Sequence, residues 1–379
     1  MTTIAVRRSK AMGIPPVHAN SVEGKAAMRH PRFVAAALAG LLAVLGPIAV
    51  GCRAADLLYA HTAMAELPST DSGWDYIKME PGGSRLFLAR GKDGLTVFDV
   101  DANKAIATVG NSIGANGPLL LPEYNRGYVA MTDGSFLSFE LDSLKPIARL
   151  QLDGNGGINS AIYDPFTRRV HAIVGTRPKE STWYTLDAAS GKLLGSRTFP
   201  FRKMDDPAAD GRGRLFAPAR KDSLILVLDS KTLAERTRWT APCNVSKVRY
   251  QAHDNRILGA CAGGNPMFFA LDADSGRVVA SLPIGVDVDG MGIDEQRKRI
   301  VTSNDEGTLT VIRQEGPDSY SLAGTVSTRP GARMMYLDTR NGKLYVVAAD
   351  FTRSAPDANG EAAIAYHPDS FVVLTYTPQ

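Results

Sequence analysis

An all-β fold built from seven similar units is predicted by three observations in this 379-residue sequence. A basic residue followed by a short apolar run recurs with its copies 41 to 45 positions apart, at Arg85, Arg126, Arg169, Arg214, Arg256, Arg299 and Lys343. Further short apolar segments flank each copy, separated by Asp, Asn and Gly as in hairpins. After residue 66 no stretch of useful length has helical periodicity. Such a repeat is typical of propeller blades, so we predict a seven-bladed β-propeller of four-stranded blades.

The fifth unit shows the strand order that we predict for each blade. Its four segments are Val245–Tyr250, Arg256–Cys261, Met267–Leu271 and Arg277–Leu282. In five units the third strand ends on an acidic residue, at Asp99, Glu140, Asp187, Asp229 and Asp272. We expect these side chains to bind the backbone of the turn into the fourth strand, which is a structural role.

The two ends of the array are predicted to join. The seventh unit lacks a fourth strand after 371–376, whereas the apolar segment 57–67 precedes the first unit without belonging to it. We expect residues 57–67 to complete the last blade and close the ring, which leaves no exposed strand edge. The insertion 352–369 in the last blade is either a lid over the channel or a disordered loop.

Residues 1–55 are predicted to be a leader and residues 56–379 a single propeller domain. The uncharged, Ala- and Leu-rich run 33–50 follows Arg29 and Arg32 and ends in small residues, as in a secretory signal peptide. The alternatives are an uncleaved membrane anchor and lipid attachment at Cys52, and the protein starts at Met1 or at Met28. We therefore expect a periplasmic or secreted protein, with a membrane involved only through an uncleaved leader or a lipid anchor.

The net charge of +4 belongs to the leader. Residues 1–55 hold seven Lys and Arg residues and one acidic residue, so the remainder carries 36 basic against 38 acidic residues. A near-neutral body without a clustered basic face predicts no binding of nucleic acid. We expect the protein to be a monomer.

Two cysteines of the fifth unit are predicted to form a disulfide. Cys243 precedes the first strand and Cys261 ends the second, so a hairpin turning at 253–255 places them on neighbouring strands. An oxidising compartment would permit the bond. The alternative is a pair of buried thiols that pack as small apolar side chains.

One polar residue per unit stands at the start of the inner strand. Counting back from the repeated basic residue gives Asp75, Asn116, Asn159, Asp205, Ser246, Asp289 and Arg333, with Trp74 beside the first. Such a ring around the channel could bind a polar ligand, with Arg333 as the partner of an anion, or a divalent cation such as Ca²⁺. The alternative is that these side chains only satisfy loop backbone and line a water-filled channel.

Several segments resemble the YVTN-type β-propeller repeat family: 73–76, 278–285, 303–311 and 331–333. The similarity covers roughly residues 57–379 and is strongest from Cys243 to Phe351. It implies an exported bacterial seven-bladed propeller, related in fold to surface-layer and lactonase-type propellers. The segments 205–207 and 210–213 also resemble metal-dependent lactonase propellers, although the usual Glu ligand has no counterpart.

Other chemistries find little support in the sequence. His61, His171, His253 and His367 lack metal-ligand spacing, and no Gly-x-Ser-x-Gly motif appears. Trp74, Trp183 and Trp239 occupy different strand positions, which argues against a quinone cofactor.

Two functions remain. The first is a non-catalytic binding or scaffold protein without a cofactor, whose channel mouth and top loops bind a small ligand or an envelope protein. The second is a metal-dependent hydrolase of lactones or similar esters, with the cation held by Asp75, Asn159, Asp205 and Asp289. The absence of a His or Glu base beside the ring favours the first.

Overall fold

The computed structural model describes residues 58–204, 206–355 and 362–379. Within them the strands form seven four-stranded antiparallel sheets and one two-stranded sheet. The sheets are the blades of a propeller, which confirms the predicted all-β fold and the number of blades. The leader 1–55, Cys52, Asp205 and residues 356–361 of the insertion lie outside the described residues. Among the described residues no helix has the length and apolar character needed to cross a membrane.

The first six blades follow one another along the chain after an initial strand, β1 (Tyr59–Leu67). From the channel outward, blade 1 consists of β2 (Trp74–Met79), β3 (Arg85–Arg90), β4 (Gly94–Asp99) and β5 (Lys104–Thr108), and blade 2 of β6 (Ala115–Leu121), β7 (Arg126–Met131), β8 (Ser135–Glu140) and β9 (Pro146–Gln151). Blade 3 consists of β10 (Ile158–Asp164), β11 (Arg169–Val174), β12 (Ser181–Asp187) and β13 (Leu193–Phe199), and blade 4 of β14 (Ala208–Ala209), β15 (Arg214–Ala219), β16 (Leu224–Asp229) and β17 (Glu235–Thr240). Blade 5 consists of β18 (Val245–Gln251), β19 (Arg256–Cys261), β20 (Met267–Asp272) and β21 (Val278–Pro283), and blade 6 of β22 (Val288–Asp294), β23 (Arg299–Asn304), β24 (Thr308–Gly316) and β25 (Ser319–Ser327).

The seventh blade joins the two ends of the described chain. Its strand order is β26 (Met334–Leu337), β27 (Leu344–Ala348), β30 (Phe371–Pro378) and finally β1. β1 pairs antiparallel with β30 from Tyr59 opposite Pro378 to Leu67 opposite Phe371. The predicted closure by the N-terminal segment is therefore confirmed. Between β27 and β30 the insertion forms a hairpin of β28 (Phe351–Arg353) and β29 (Ile364–Tyr366).

The apolar core lies between neighbouring blades. Phe87 and Val97 of blade 1, for example, pack in one cluster with Val129, Leu137 and Phe139 of blade 2, and all five are buried. Burying each such side chain contributes about 1.5–3 kcal/mol. The outermost strands are mostly exposed, as in β9 and β17, so each blade depends on its neighbours for its core.

The repeated arginine links the first six blades to their successors. In six blades its guanidinium donates a hydrogen bond to a backbone carbonyl of the following blade; the pairs are Arg85–Leu141, Arg126–Ser190, Arg169–Lys231, Arg214–Ala273, Arg256–Pro317 and Arg299–Leu58. The first five acceptors lie in turns between third and fourth strands, and Leu58 precedes the closing strand β1. The residue that reveals the repeat in the sequence is thus an inter-blade contact.

The predicted role of the turn acids is confirmed for the four aspartates, whereas the Glu140 side chain accepts a hydrogen bond from the Ser143 hydroxyl instead. Asp187 accepts a hydrogen bond from the backbone N–H of Ser190 at 2.8 Å, and Asp272 accepts one from Ser275 at 2.9 Å. These turns lie on the bottom face of the ring. The opposite face is formed by the loops that enter the inner strands and by the loops that connect the second strands to the third. We call it the top face.

Candidate functional site

The predicted polar residues lie where the inner strands begin, and local backbone irregularities position them. In blades 2, 3, 5 and 6 the pairing between first and second strands shifts by one residue, and the unpaired residues are Asn116, Asn159, Ser246 and Asp289. In blade 1 the pairing is irregular between Trp74 and Ile77, a stretch that includes Asp75. A β-bulge re-aims the side chain of its extra residue, which explains why one polar residue per blade departs from strand alternation.

Blades 1 to 3 form an amide-rich sector of the ring. The Asn116 amide donates to the backbone carbonyl of Asn159 at 3.0 Å and to its side-chain oxygen at 3.2 Å. The Asn159 amide in turn donates to the Tyr76 hydroxyl at 3.3 Å. Glycine is needed at position 117, because a Cβ there would lie 2.7 Å from the Asn159 carbonyl oxygen. At the ring positions of these three blades, Asp75 is the charged residue and Asn116 and Asn159 are neutral.

Blades 4 to 7 form an ionic sector centred on Lys247, whose side chain is only 2% exposed. Its ammonium lies 2.9 Å from Asp289 Oδ1 and 3.5 Å from Asp206 Oδ2. Arg249 pairs with Asp206 at 3.1 Å, and Arg333 with Asp289 at 3.3 Å. The predicted residues Asp289 and Arg333 therefore meet, but each side chain is held by charged neighbours.

The positive charges of the ionic sector lower the pKa of its two carboxylates, Asp206 and Asp289. Burial alone would raise the pKa of Asp206, but the positive charges of Arg249 and Lys247 outweigh it and lower the pKa to about 2. The pKa of Asp289 is lowered as well, because Lys247 and Arg333 overcome the effect of burial. Both carboxylates are ionised at neutral pH and act as hydrogen-bond acceptors.

Sequence reasoning missed Asp206, Lys247 and Arg249. Asp205 lies outside the described residues, whereas Asp206 is described and takes part in the ionic sector. Asp206 has φ +62° and is followed by Pro207. Because proline has no N–H for strand pairing, the inner strand of blade 4 is reduced to the two residues of β14. The sequence contains one indication of these residues. Lys247 and Arg249 follow the ring position Ser246 by one and three residues, and Asp206 directly follows Asp205.

Two predicted site residues are buried. The Ser246 hydroxyl has no hydrogen-bond partner among the described residues, nor has the indole N–H of Trp74. Trp74 packs against Tyr366 of the β28–β29 hairpin with ring centroids 4.8 Å apart, and against Phe371 at 5.4 Å. Trp74 thus helps to hold the hairpin on the top face.

The described part of the insertion lies on the top face beside the channel. Arg353 of β28 is 3.4 Å from Asp305, and Phe351 packs against Tyr366 with ring centroids 6.3 Å apart. A cavity of about 550 Å³ lies under the hairpin, lined by charged residues of both signs: Arg220, Arg333, Arg353, Asp287, Asp289 and Asp305. A second cavity, of about 570 Å³, lies beside Trp74, Asp75 and Asn116. We call these two cavities together the channel mouth.

Of the four predicted metal ligands, Asp75, Asn159 and Asp289 are described, whereas Asp205 lies outside the described residues. Among residues 58–204, 206–355 and 362–379, no group of three or more His, Cys, Asp or Glu side chains is placed to hold a metal ion. Asp289 pairs with Lys247 and Arg333, and Asn159 bonds to Asn116 and Tyr76. A cation at these two residues would compete with the positive charges already beside Asp289.

The histidines lie apart from the ring. His171 is buried in blade 3, where its Nδ1 lies 3.0 Å from the Thr185 hydroxyl. Burial lowers its pKa to about 4, so it is neutral at physiological pH. His61, His253 and His367 are exposed on other blades.

Cys243 and Cys261 form the predicted disulfide. Val245 pairs with Cys261, so the bond ties the loop that enters β18 to the end of β19. It fixes the top of blade 5 beside Ser246 and Lys247. A disulfide is compatible with an extracellular or periplasmic location.

Comparison with known proteins supports the fold alone. No protein-family model and no curated protein matches the sequence. A chain in a crystal structure of a mitotic checkpoint complex is similar in fold, with a TM-score of 0.65 at 10% sequence identity. The match covers 89% of this chain and 99% of that one. The match agrees with the seven-bladed β-propeller that the strand topology shows.

Proposed function

We propose that this chain is an exported, non-catalytic binding or scaffold protein of the YVTN-type propeller family. Its channel mouth and top loops would bind a small polar ligand or an envelope protein. The motifs of the sixth and seventh units and the basic-apolar leader support the family and the export. The disulfide of blade 5 is what an oxidising compartment would allow.

The observation that most supports a small polar ligand is the cavity of about 550 Å³ under the β28–β29 hairpin. Arg220, Arg333 and Arg353 face it together with Asp287, Asp289 and Asp305, so guanidinium and carboxylate groups line the same space. Paired groups of opposite sign suit a ligand that carries both an anionic and a cationic group, such as an amino acid or a short peptide.

A second observation favours a protein partner at the same face. Three large apolar side chains project from top-face segments into solvent: Ile113 is 72% exposed, Val286 46% and Ile364 39%. Apolar side chains around a polar cavity are typical of binding surfaces.

The ligand proposal is tested by calorimetric titration of the purified protein with amino acids, dipeptides and tripeptides. We expect at least one zwitterionic compound to bind the wild type and to bind Arg353→Gln about tenfold more weakly, because a charge-assisted bond is lost. The matched control is Arg313→Gln, since Arg313 is exposed on β24 away from the mouth. Equal binding by all three proteins, or none by the wild type, would argue against a ligand site at the mouth.

The partner proposal is tested by photo-crosslinking in cells. A crosslinking amino acid replaces Ile113 or Ile364 on the top face, or the exposed Phe166 on the bottom face as control. One discrete protein adduct from both top positions and none from Phe166 supports docking. Adducts from all positions alike, or none, contradict it.

Removing metal ions distinguishes a non-catalytic binding protein from the alternative, a metal-dependent lactonase. We expect EDTA and added Ca²⁺ to leave the melting temperature unchanged, because the oxygens of Asp289 already contact Lys247 and Arg333. Calorimetry and lactone hydrolysis are measured on wild type and Asp289→Asn. A Ca²⁺-dependent rise in melting temperature and a lactone turnover that both vanish in the variant would reverse our preference.

A further inference from the structure

The inner strands carry a second set of channel positions, seven residues before each repeated basic residue. In blades 2, 3 and 4 this position is apolar and is occupied by Leu119, Ile162 and Pro207. In blades 5, 6, 7 and 1, which follow one another around the closed ring, it is occupied by Arg249, Gly292, Tyr336 and Lys78. These last four residues line one cavity of about 220 Å³. One arc of the channel therefore places an amine, a phenol and a guanidinium around the same space.

Lys78 reaches this cavity because of the side-chain alternation along β2. Its neighbours Ile77 and Met79 are buried in the apolar core between blades 1 and 7, so the side chain of Lys78 lies on the other face of the strand. Lys78 is deep inside the molecule but keeps an intermediate solvent exposure. Thr339, which also lines the cavity, is exposed in the loop after β26. The cavity therefore extends to the bottom face, from which a small molecule can reach the Lys78 amine.

The three polar side chains of this arc keep groups with which to bind a ligand. Within the described part of the chain, Lys78 forms no ion pair and the Tyr336 hydroxyl no hydrogen bond. Arg249 uses a single nitrogen, Nη1, for its bonds to Asp206 Oδ1 at 3.1 Å and to the Val248 carbonyl at 2.7 Å. Its Nη2 and Nε remain as donors for an oxygen of a ligand.

The Lys78 amine is partly neutral at physiological pH. Burial lowers the pKa of Lys78 to about 8; Arg249 and Lys247 act in the same direction, whereas Asp206 opposes them. About a tenth of the amine is then neutral at pH 7, compared with less than about a thousandth for an ordinary exposed lysine. The neutral amine is the nucleophile, and lysines desolvated in this way form imines with carbonyl compounds.

We propose that Lys78 holds a small aldehyde or ketone in the channel as a reversible imine. The Lys78 nitrogen attacks the carbonyl carbon and forms a carbinolamine. The carbinolamine loses its hydroxyl group together with the remaining proton on nitrogen as water, and the C=N bond forms without any oxidant or reductant. The site goes beyond the proposed function, since it uses neither the β28–β29 hairpin nor the top face.

Tyr336 and Arg249 have separate roles in this step. Burial raises the pKa of Tyr336, so its hydroxyl stays protonated and would donate a hydrogen bond to the departing oxygen. The free nitrogens of Arg249 would donate to a second oxygen of the ligand, such as a carboxylate next to the carbonyl group. The carbonyl group is the shared chemistry, and the ligand is either a neutral carbonyl compound or a 2-oxo acid.

The pH dependence follows from the groups that surround Lys78. On the elements packed around the cavity these are Tyr76 on β2, Asp206 before β14, Lys247 and Arg249 on β18, Asp289 on β22, and Arg333 and Tyr336 at β26; Asp205 lies outside the described residues. Asp206 and Asp289 have a lowered pKa and stay ionised at neutral and alkaline pH. Lys78 is the group that becomes neutral as the pH rises through about 8. Its reactivity should therefore level off above that pH, while exposed lysines go on gaining neutral amine.

The test is reductive trapping of the imine. The purified protein reacts with acetone or pyruvate and cyanoborohydride, and peptide-mapping mass spectrometry gives the labelling rate of each lysine. At pH 7 we expect Lys78 to be labelled about tenfold faster than Lys104, which is exposed on β5 of the same blade. At pH 9.5 the two rates should become similar, and in concentrated urea the preference for Lys78 should disappear. This comparison within the wild type needs no variant.

Two variants test the assigned groups, with melting temperatures to show that each is folded. Tyr336→Phe should slow the labelling of Lys78 several-fold and leave Lys104 unchanged, whereas Tyr320→Phe on the outer strand β25 should change neither rate. Lys78→Arg keeps the charge and should lose the fast single adduct in the intact mass. Arg353→Gln should weaken a ligand of the mouth and leave the labelling of Lys78 unaffected.

The two reagents distinguish the two kinds of ligand. If pyruvate raises the rate of Lys78 relative to Lys104 more than acetone does, the ligand is a 2-oxo acid held by Arg249; equal ratios indicate a neutral carbonyl compound. Labelling of Lys78 no faster than of Lys104 at pH 7, or a preference that persists in urea, would overturn the proposal.

Discussion

At the scale of single residues, Lys247 is the centre of the ionic sector. Its ammonium is buried between Asp206 and Asp289 and lies 4.7 Å from the centroid of the Tyr76 ring. It therefore connects blades 1, 4, 5 and 6 beneath the channel mouth. A buried charge of this kind is stabilising only as long as its partners remain.

Replacing the buried Lys247 by Met should destabilise the protein by about 3–5 kcal/mol, because Asp206 and Asp289 lose their shared cation. The measurement is urea unfolding at pH 7. Lys92→Met is the matched control, since Lys92 and Asp71 form an exposed pair at 2.8 Å, whose loss should cost about 0–1 kcal/mol. Similar losses in both variants would show that burial adds nothing to the Lys247 pairs.

Asp206 should make stability depend on acid pH. Its pKa is lowered from 3.8 to about 2, so its contribution is present above pH 4 and is lost as the pH falls from about 4 to 2. Asp206→Asn should be less stable than wild type by about 2 kcal/mol at pH 7, and this difference should disappear near pH 2. Urea unfolding at several pH values measures it; a constant difference would contradict the assignment.

At the scale of elements, the β-bulge and the disulfide act on the same short segment of blade 5. The bulge aims Ser246 away from the regular alternation of β18, and the Cys243–Cys261 bond fixes the loop just before it. The two cysteines are 18 positions apart in the sequence. The bond therefore restricts a short loop of the unfolded chain.

Loss of the disulfide should lower the free energy of unfolding by about 3 kcal/mol, as expected for a closed loop of this length. The comparison is wild type against Cys243→Ser/Cys261→Ser by urea unfolding, with and without dithiothreitol. The reductant should destabilise wild type and leave the double variant unchanged. Equal stability of the oxidised wild type and the variant would mean that the bond is structurally neutral.

At the scale of the whole molecule, the six arginine contacts run around the bottom of the ring from each blade to the next. Arg169 shows the contact in its simplest form, with one guanidinium nitrogen 2.6 Å from the Lys231 carbonyl oxygen. Because six of the seven blades are held to their successors in this way, the contacts act against separation of the blades.

Arg169→Met should therefore reduce stability by about 1 kcal/mol, the usual contribution of one hydrogen bond. Thermal and urea unfolding would measure the loss, with Arg313→Met as a control at an exposed arginine of β24. Equal effects of the two substitutions would assign the loss to general surface charge and leave the inter-blade bond without a measurable role.

The regular features of the fold could be predicted from the sequence because they repeat. Copies of Arg85 mark the second strand of each blade, and the unpaired segment 57–67 indicates the closing strand. The ring positions Asn116, Asn159, Ser246 and Asp289 followed from the same spacing. What the spacing could not show is the charged neighbours Lys247 and Arg249, whose partners lie in other blades and more than forty residues away.

The insertion shows the same limit. The sequence predicts a lid or a disordered loop for 352–369, and the described part is a hairpin packed on Trp74 and Asp305. Those contacts join the seventh blade to the first and the sixth, and a single sequence carries no record of them. Local patterns predict strands, whereas contacts between blades depend on three-dimensional closure.

The pairing of β1 with β30 has a consequence for the order of events during synthesis. β1 is synthesised about three hundred residues before β30, the strand with which it pairs. Folding that depends on such distant contacts is slow. The ring therefore cannot close before residues 371–378 have been synthesised. In the export that we propose, β1 and β30 would not lock the blades together before this last strand has been made.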